Sequence, residues 1–265
     1  MGRSVLITGA SAGIGLATAR RLAGRGFRVF GASRRPPAEA LPGVSWLAMD
    51  VCDEASVEKG VAEVLAAAGR LDGLVCNAGC GLFGSVEEVS IEQAQAQFDT
   101  NFFGTLRALR AALPCMRERT AGRIVLVGSL AGRAPIPFQA HYSATKAAVD
   151  ALALALRNEL HGCGVAVSLI EPGDIRTEFN ERTQWLGAPD SPYGGRLQAS
   201  EAAIRALLLE APPPEIVARR IERALTARRP RTRYTVGPDS WRVPLGRRLL
   251  PDRWFLAGIR RQFRI

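Results

Sequence analysis

Seven short apolar runs punctuate this chain, and stretches of helical pattern separate them. The runs are Ser4–Thr8, Phe27–Ala32, Ser45–Met49, Gly73–Cys76, Ile124–Gly128, Val165–Ile170 and Thr232–Val236. Most are apolar at nearly every position, as parallel strands buried on both faces must be. The helical stretches are Ile14–Ala23, Glu54–Ala68, Ile91–Arg119, Tyr142–His161 and Glu215–Arg228. Asp53 is placed to cap the second, and Pro212-Pro213-Pro214 punctuates the start of the last. Strands that alternate with helices predict βαβ units and an α/β, doubly wound parallel sheet with helices on both faces.

A length of 265 residues suits one such domain and is short for two. Residues 1–238 are expected to form it, with 174–214 as a loop-rich insertion and 239–265 as a basic amphipathic tail. The insertion holds Gly187, Pro189, Pro192, Gly194 and Gly195 around a helix-like Leu197–Leu209. It follows the carboxyl end of a strand, where open α/β sheets bind ligands, and so reads as a substrate lid. The first strand pattern begins at Ser4, which predicts no signal peptide, and no run reaches the roughly 20 apolar residues of a membrane span. A cytoplasmic protein is expected. Five cysteines without a CxxC pair predict free thiols acting as small hydrophobes, and two histidines make a metal centre an unlikely design. The net charge of +10 is concentrated late: from Arg219 onward fourteen arginines face three acids, Glu222, Asp239 and Asp252. With no recognition module beside it, this basic end does not predict a nucleic-acid binder.

Thr8-Gly9-Ala10-Ser11-Ala12-Gly13-Ile14-Gly15 follows the first strand and opens the first helix. Glycines there let the backbone turn tightly against a pyrophosphate, and the helix start supplies amide donors. With this loop, Asn77-Ala78-Gly79, Asn101, Ser129, Tyr142-x-x-x-Lys146 and Pro172-Gly173 in that order, the chain resembles the short-chain dehydrogenase/reductase family. The resemblance spans about residues 4–180 and the final strand, and implies a Rossmann-type sheet of about seven strands. The strand end Ser33-Arg34-Arg35, Pro137-Phe138 and the run from Glu171 to Phe179 resemble the branch of 17β-hydroxysteroid and retinol dehydrogenases and their bacterial relatives.

The second strand ends without the acid that would bind ribose hydroxyls, and Ser33 and Arg34 suit a 2′-phosphate instead. The expected cofactor is therefore NADP(H). The resemblance implies Asp50 and Val51 at the adenine, Asn77, Ala78 and Gly79 along the adenosine ribose side, and Pro172, Gly173, Ile175 and Thr177 near the carboxamide and phosphates. Tyr142 and Lys146 lie four apart on one predicted helix and share a face. Lowering a tyrosine pKa of about 10 by about three units takes roughly 4 kcal/mol. An ammonium at about 4 Å supplies a similar amount at an effective dielectric near 20. Lys146, helped by the charge of the oxidised nicotinamide, is thus expected to tune Tyr142 as general acid/base. The family pattern implies that Ser129 holds the substrate oxygen, that Lys146 also binds the nicotinamide ribose, and that Asn101 completes a proton relay.

These residues predict an oxidoreductase that interconverts a carbonyl and an alcohol. Trp185, Leu186, Tyr193, Leu197, Ile204 and Leu207–Leu209 suggest a lipophilic substrate such as a steroid, retinoid or lipid; the same residues read equally well as lid packing. Two alternatives are a catalytically silent NADP-binding regulator and an enzyme of small polar or polyketide-type carbonyls; a third, an extended-type epimerase, does not fit the glycine spacing. The resemblance implies a homodimer or homotetramer built on Ile91–Arg119 and Tyr142–His161, where Ala147, Ala148, Ala151 and Ala155 permit close approach. Trp241, Trp254, Phe255, Ile259 and Phe263 interleave with the tail's arginines. Such a segment packs on the domain or a partner subunit, or makes weak peripheral contact with a membrane.

Overall fold

The computed structural model describes residues 2–186 and 191–265, so Gly187 and Pro189 of the expected lid lie outside the described residues. The chain runs β1 (Ser4–Thr8), α1 (Gly13–Ala23), β2 (Arg28–Ser33), β3 (Val44–Ala48), α2 (Glu54–Ala68), β4 (Gly73–Cys76) and a short β5 (Leu82–Phe83). It continues through α3 (Ile91–Phe98), a π-turn (Asp99–Phe103), α4 (Gly104–Glu118), β6 (Gly122–Val127), a 3₁₀ turn (Leu130–Gly132), α5 (Ala140–Glu159) and β7 (Val165–Pro172). The remainder is α6 (Glu178–Glu181), β8 (Gln184–Trp185), α7 (Gly195–Leu209), α8 (Glu215–Thr226), β9 (Arg233–Val236), α9 (Arg242–Leu249) and α10 (Asp252–Gln262).

Seven strands form one sheet in the order β3-β2-β1-β4-β6-β7-β9, with every pairing parallel. The order reverses between β1 and β4, and the crevice outside their carboxyl ends is where such a sheet receives a ligand. Alternate side chains serve opposite faces. Leu6, Phe30, Leu74, Leu126 and Leu169 pack with Val57 and Val61 of α2, Leu109 and Met116 of α4, and Val149 and Leu156 of α5. Val5, Ile7, Val29, Val75 and Val125 pack on the other face with Leu22 of α1 and Val217 and Ile221 of α8. Each fully buried side chain of this size contributes roughly 1.5–3 kcal/mol, which is why the middle of the central strands is apolar.

The helix ends follow local chemistry. Asp53 caps α2 by accepting from the Ala55 N–H (3.0 Å), and Gly69 closes that helix at φ 72°. The single helix expected over Ile91–Arg119 is instead broken by the π-turn at Asp99–Phe103. The cause is Asn101, whose side chain is drawn onto the backbone of Cys80: its Oδ1 accepts from the Cys80 N–H (2.8 Å) and its Nδ2 donates to the Cys80 carbonyl (3.1 Å). Single π-turns of this kind gather at functional sites. All five cysteines are free, but only Cys76 is fully buried. Among the described residues no helix is long and apolar enough to cross a membrane.

Candidate active site

β1 ends at Thr8, and the chain then turns through Gly9 (φ 64°) and Gly13 (φ 50°), angles that glycine enters without steric cost. Gly15 is required for its size: a Cβ there would lie 2.2 Å from the Gly9 carbonyl oxygen and 2.6 Å from Asn77 Nδ2. The N-cap of α1 is Ala12, which offers no side-chain acceptor, and the first turn carries no acid. Its amides are thus left for an anion, and the Gly13 N–H donates to the Glu178 carboxylate (3.0 Å). Gly9, Ser11, Gly13 and Ile14 line one end of a continuous cleft of about 1500 Å³.

Asn77 couples this loop to β4. Its Nδ2 donates to the carbonyls of Thr8 (3.1 Å) and Gly9 (3.0 Å), while Thr8 Oγ1 accepts from the N–H groups of Asn77 (3.0 Å) and Ala78 (3.1 Å). Asn77, Ala78 and Gly79 line the cleft, yet the Asn77 amide is committed to the loop it supports. At the end of β2, Ser33 is buried and its Oγ has no hydrogen-bond partner, with exposed Arg34 beside it. Asp50 and Val51 form the facing wall. The Asp50 carboxylate accepts from the Cys52 N–H (3.0 Å), and Val51 packs against Gly104 at the start of α4.

Tyr142 and Lys146 stand on α5, with the Leu130–Gly132 turn packed so tightly on that helix that a Cβ at Gly132 would lie 3.0 Å from the Lys146 backbone. Lys146 is buried and its Nζ donates to the Val127 carbonyl (3.0 Å). The Tyr142 ring lies 5.8 Å from Lys146 Nζ and 5.8 Å from the Phe179 ring, centroid to centroid, so a lid residue covers the phenol. Ser129 caps the turn by accepting from the Ala131 N–H (3.1 Å) and sits beside the Tyr142 hydroxyl. Asn101 donates through Nδ2 to Thr145 Oγ1 (3.0 Å) on the same helix. No hydrogen bond joins Asn101 to Lys146: the asparagine supports the loop at Cys80 from beneath.

Burial pushes the Tyr142 phenol up to about 12; the Ser129 hydroxyl counteracts it, and the nearby Cys80 and Asp174 add to the rise. Burial also lowers Lys146 to about 8. Burial dominates both groups in the protein alone, and the Lys146 ammonium is held by the Val127 carbonyl. What the cleft presents is a protonated tyrosine.

A buried ion cluster fixes the strand ends behind Ser129. The Glu171 carboxylate, 1% exposed, accepts from Arg133 Nε (2.6 Å) and Nη2 (3.0 Å) and from Arg233 Nη1 (3.0 Å). Burial pushes Glu171 upward while both arginines oppose it. Arg133 directly follows the 3₁₀ turn, and Glu171 directly precedes Pro172 and Gly173, so one clamp ties both walls of the reacting centre. Pro172, Gly173, Ile175 and Thr177 line the cleft beyond it, and burial together with the charge of Asp239 raises Asp174.

The far end of the cleft has an apolar wall, with Gln184, Arg242 and Gln262 also lining it. Of the lid residues, Ile204 and Leu208 line it, whereas Trp185, Tyr193 and Leu197 pack around Phe83 and Phe138, with Phe83 and Trp185 ring centroids 4.6 Å apart. The two readings of these residues thus divide between positions: Ile204 and Leu208 face the cleft, Trp185, Tyr193 and Leu197 serve lid packing, and Leu209 is exposed. The missing wall comes from the last residues of the chain: Phe255, Ile259 and Phe263 are buried and face the cleft, with Leu250 and Trp254 at its mouth. Their spacing on α10, four residues apart, was the one available signal.

A family model for short chain dehydrogenases matches residues 3–185. A 3-ketodihydrosphingosine reductase of Bacteroides thetaiotaomicron is 40% identical over 67% of the chain, which spans 65% of that relative's length. Estradiol 17-beta-dehydrogenase 1 of Rattus norvegicus is 38% identical, covering 87% of this chain and 72% of the relative. Among solved structures, a short-chain dehydrogenase from Streptomyces avermitilis superposes with a TM-score of 0.84 at 30% identity, covering 99% of this chain and 98% of that one. The closed form of a serine dehydrogenase complexed with NADP+ superposes with a TM-score of 0.76 at 31% identity, covering 89% and 94%. The chain belongs to the short-chain dehydrogenase/reductase family of oxidoreductases.

Proposed function

We propose that this protein is an NADP(H)-dependent oxidoreductase that interconverts a lipophilic ketone and its alcohol, with Tyr142 as general acid/base. The observation that carries this reading is the cleft itself. It joins the glycine loop to an apolar chamber, and Tyr142 and Ser129 stand where the two meet. Relatives named for a ketodihydrosphingosine and for estradiol support a lipophilic substrate.

The residues present fit the cofactor. Gly15 lets the loop close on itself, since a Cβ there would meet the Gly9 carbonyl, and the orphaned Ser33 hydroxyl with Arg34 suits a 2′-phosphate. Ser11, Gly13 and Ile14 would hold the pyrophosphate, Asp50 and Val51 the adenine, and Lys146 the nicotinamide ribose. When bound, the nicotinamide supplies or accepts the hydride. In reduction, Tyr142 donates its phenolic proton to the carbonyl oxygen as negative charge develops there, and Ser129 Oγ hydrogen-bonds the same oxygen. A phenol near 12 stays protonated throughout the neutral range, which is the form this direction requires. The wall of Phe255, Ile259 and Phe263 excludes water from the reacting carbonyl. We also infer self-association through α5, where Ala144, Ala147, Ala151 and Ala155 are exposed along the helix.

The test is NADPH and NADH oxidation against steroid, retinoid, long-chain aliphatic and short polar ketones. NADPH with a long-chain or steroid ketone is expected to be fastest. Tyr142→Phe should lower kcat/KM by about 10²–10⁴ with NADPH affinity retained. Full turnover in that variant, or preference for NADH and short polar ketones, would refute the reading.

A further inference from the structure

We propose that α9 and α10 dock this protein on an anionic bilayer surface, with the mouth of the cleft turned toward the lipid. The two helices have two apolar faces. One, through Phe255, Ile259 and Phe263, is buried in the chamber. The other is open: Trp241 is 64% exposed, Leu249 65% and Trp254 59%, with Leu245, Leu250 and Leu256 also exposed. Trp241, Leu245 and Leu249 recur every four residues and so form one stripe along α9. No described residue covers them.

Arginines flank this stripe. Arg247 pairs with Asp252 and Arg242 with Asp239, but among the described residues Arg248, Arg253, Arg260, Arg261 and Arg264 have no carboxylate partner. Exposed tryptophan and leucine beside unpaired arginine is the composition that settles into a headgroup layer, the rings at the acyl boundary and the guanidinium groups among phosphates. A second copy is the poorer occupant, because face-to-face packing would bring two clusters of like charge together. An anionic lipid surface offers the opposite charge.

The docking face and the cleft share residues. Leu250 and Trp254 are exposed and also line the cleft mouth, next to Val243 and Gly246. A molecule dissolved in the bilayer would thus enter past apolar side chains without crossing water. This delivery role rests on the lipophilic-substrate reading; the docking does not.

The full chain would be sedimented with phosphatidylcholine vesicles with and without phosphatidylglycerol, and Trp fluorescence followed. Binding is expected only with the anionic lipid, with a blue shift, and weaker by about tenfold or more at high salt. Trp241→Ser/Leu245→Ser/Leu249→Ser, and separately Arg248→Gln/Arg253→Gln/Arg260→Gln, should each weaken it by a similar factor. The first set should leave reduction of a water-dispersed ketone unchanged, which also reports that it folds. Turnover of a ketone supplied in the vesicles is scored separately, so failed delivery with intact binding overturns only the substrate reading. Absence of binding to anionic vesicles at low salt would overturn the docking. So would wild-type binding by both variants, or a doubled mass by light scattering that the serine variant abolishes while lipid binding stays absent.

Discussion

Arg133→Met would test whether the buried ion cluster is what holds Ser129 in place. Methionine keeps the apolar bulk of the arginine stem but removes two of the three hydrogen bonds to the 1%-exposed Glu171 carboxylate, those at 2.6 and 3.0 Å. Arg233 still donates at 3.0 Å, so the loss falls at the low end for breaking a buried pair, about 3 kcal/mol. For a chain of this size that is a fall in Tm of about 6–12 °C. The sign with pH is fixed. Burial already raises Glu171, and losing Arg133 raises it further. A carboxyl with a raised folded pKa loses stability as pH rises through that value. The deficit of the variant should therefore widen as pH rises above the ordinary carboxylate range. Thermal unfolding across that range reads this directly, and kcat should fall with it because the turn carrying Ser129 loses its anchor. Arg133→Met/Glu171→Gln should recover about half of the lost stability, since no buried charge is then left unpaired. A loss below about 1 kcal/mol, or no recovery in the double variant, would refute the clamp.

Three shorter expectations follow from the same site. Lys146, lowered to about 8 by burial, loses its charge as pH rises, so reductive kcat/KM should decline above about pH 8. Lys146→Arg should remove that limb of the profile, and a limb that persists would assign it to another group. Arg34→Ala should weaken NADPH binding by about 10–100-fold and NADH binding by little, measured by fluorescence titration; equal effects on both would remove the 2′-phosphate assignment. Ala151→Arg, on the exposed face of α5, should reduce the sedimenting mass to that of one chain, and an unchanged oligomer would place the interface elsewhere.

The strands were legible because burial on both faces leaves a continuous apolar centre such as Val5-Leu6-Ile7, and the glycine loop because a backbone that must approach phosphate has few residue choices. Neither depends on distant partners. The π-turn was not legible, since Ile91–Arg119 keeps a helical pattern and only the Cys80 backbone, brought close by the fold, draws Asn101 out of it. The upward push on Tyr142 in the protein alone was not legible for a related reason: spacing reveals the lysine one turn away but not the burial of the phenol. The clamp joins Arg133, Glu171 and Arg233 from three separate elements, and the chamber wall comes from residues eighty or more positions past the reacting centre. In each case the missing information was tertiary.

Because Phe255, Ile259 and Phe263 close the chamber while the sheet, the glycine loop and α5 are complete before them, reactivity and substrate fit occupy different stretches of the polypeptide. Drift in the last two helices can therefore re-cut the chamber and leave the proton-transfer apparatus intact.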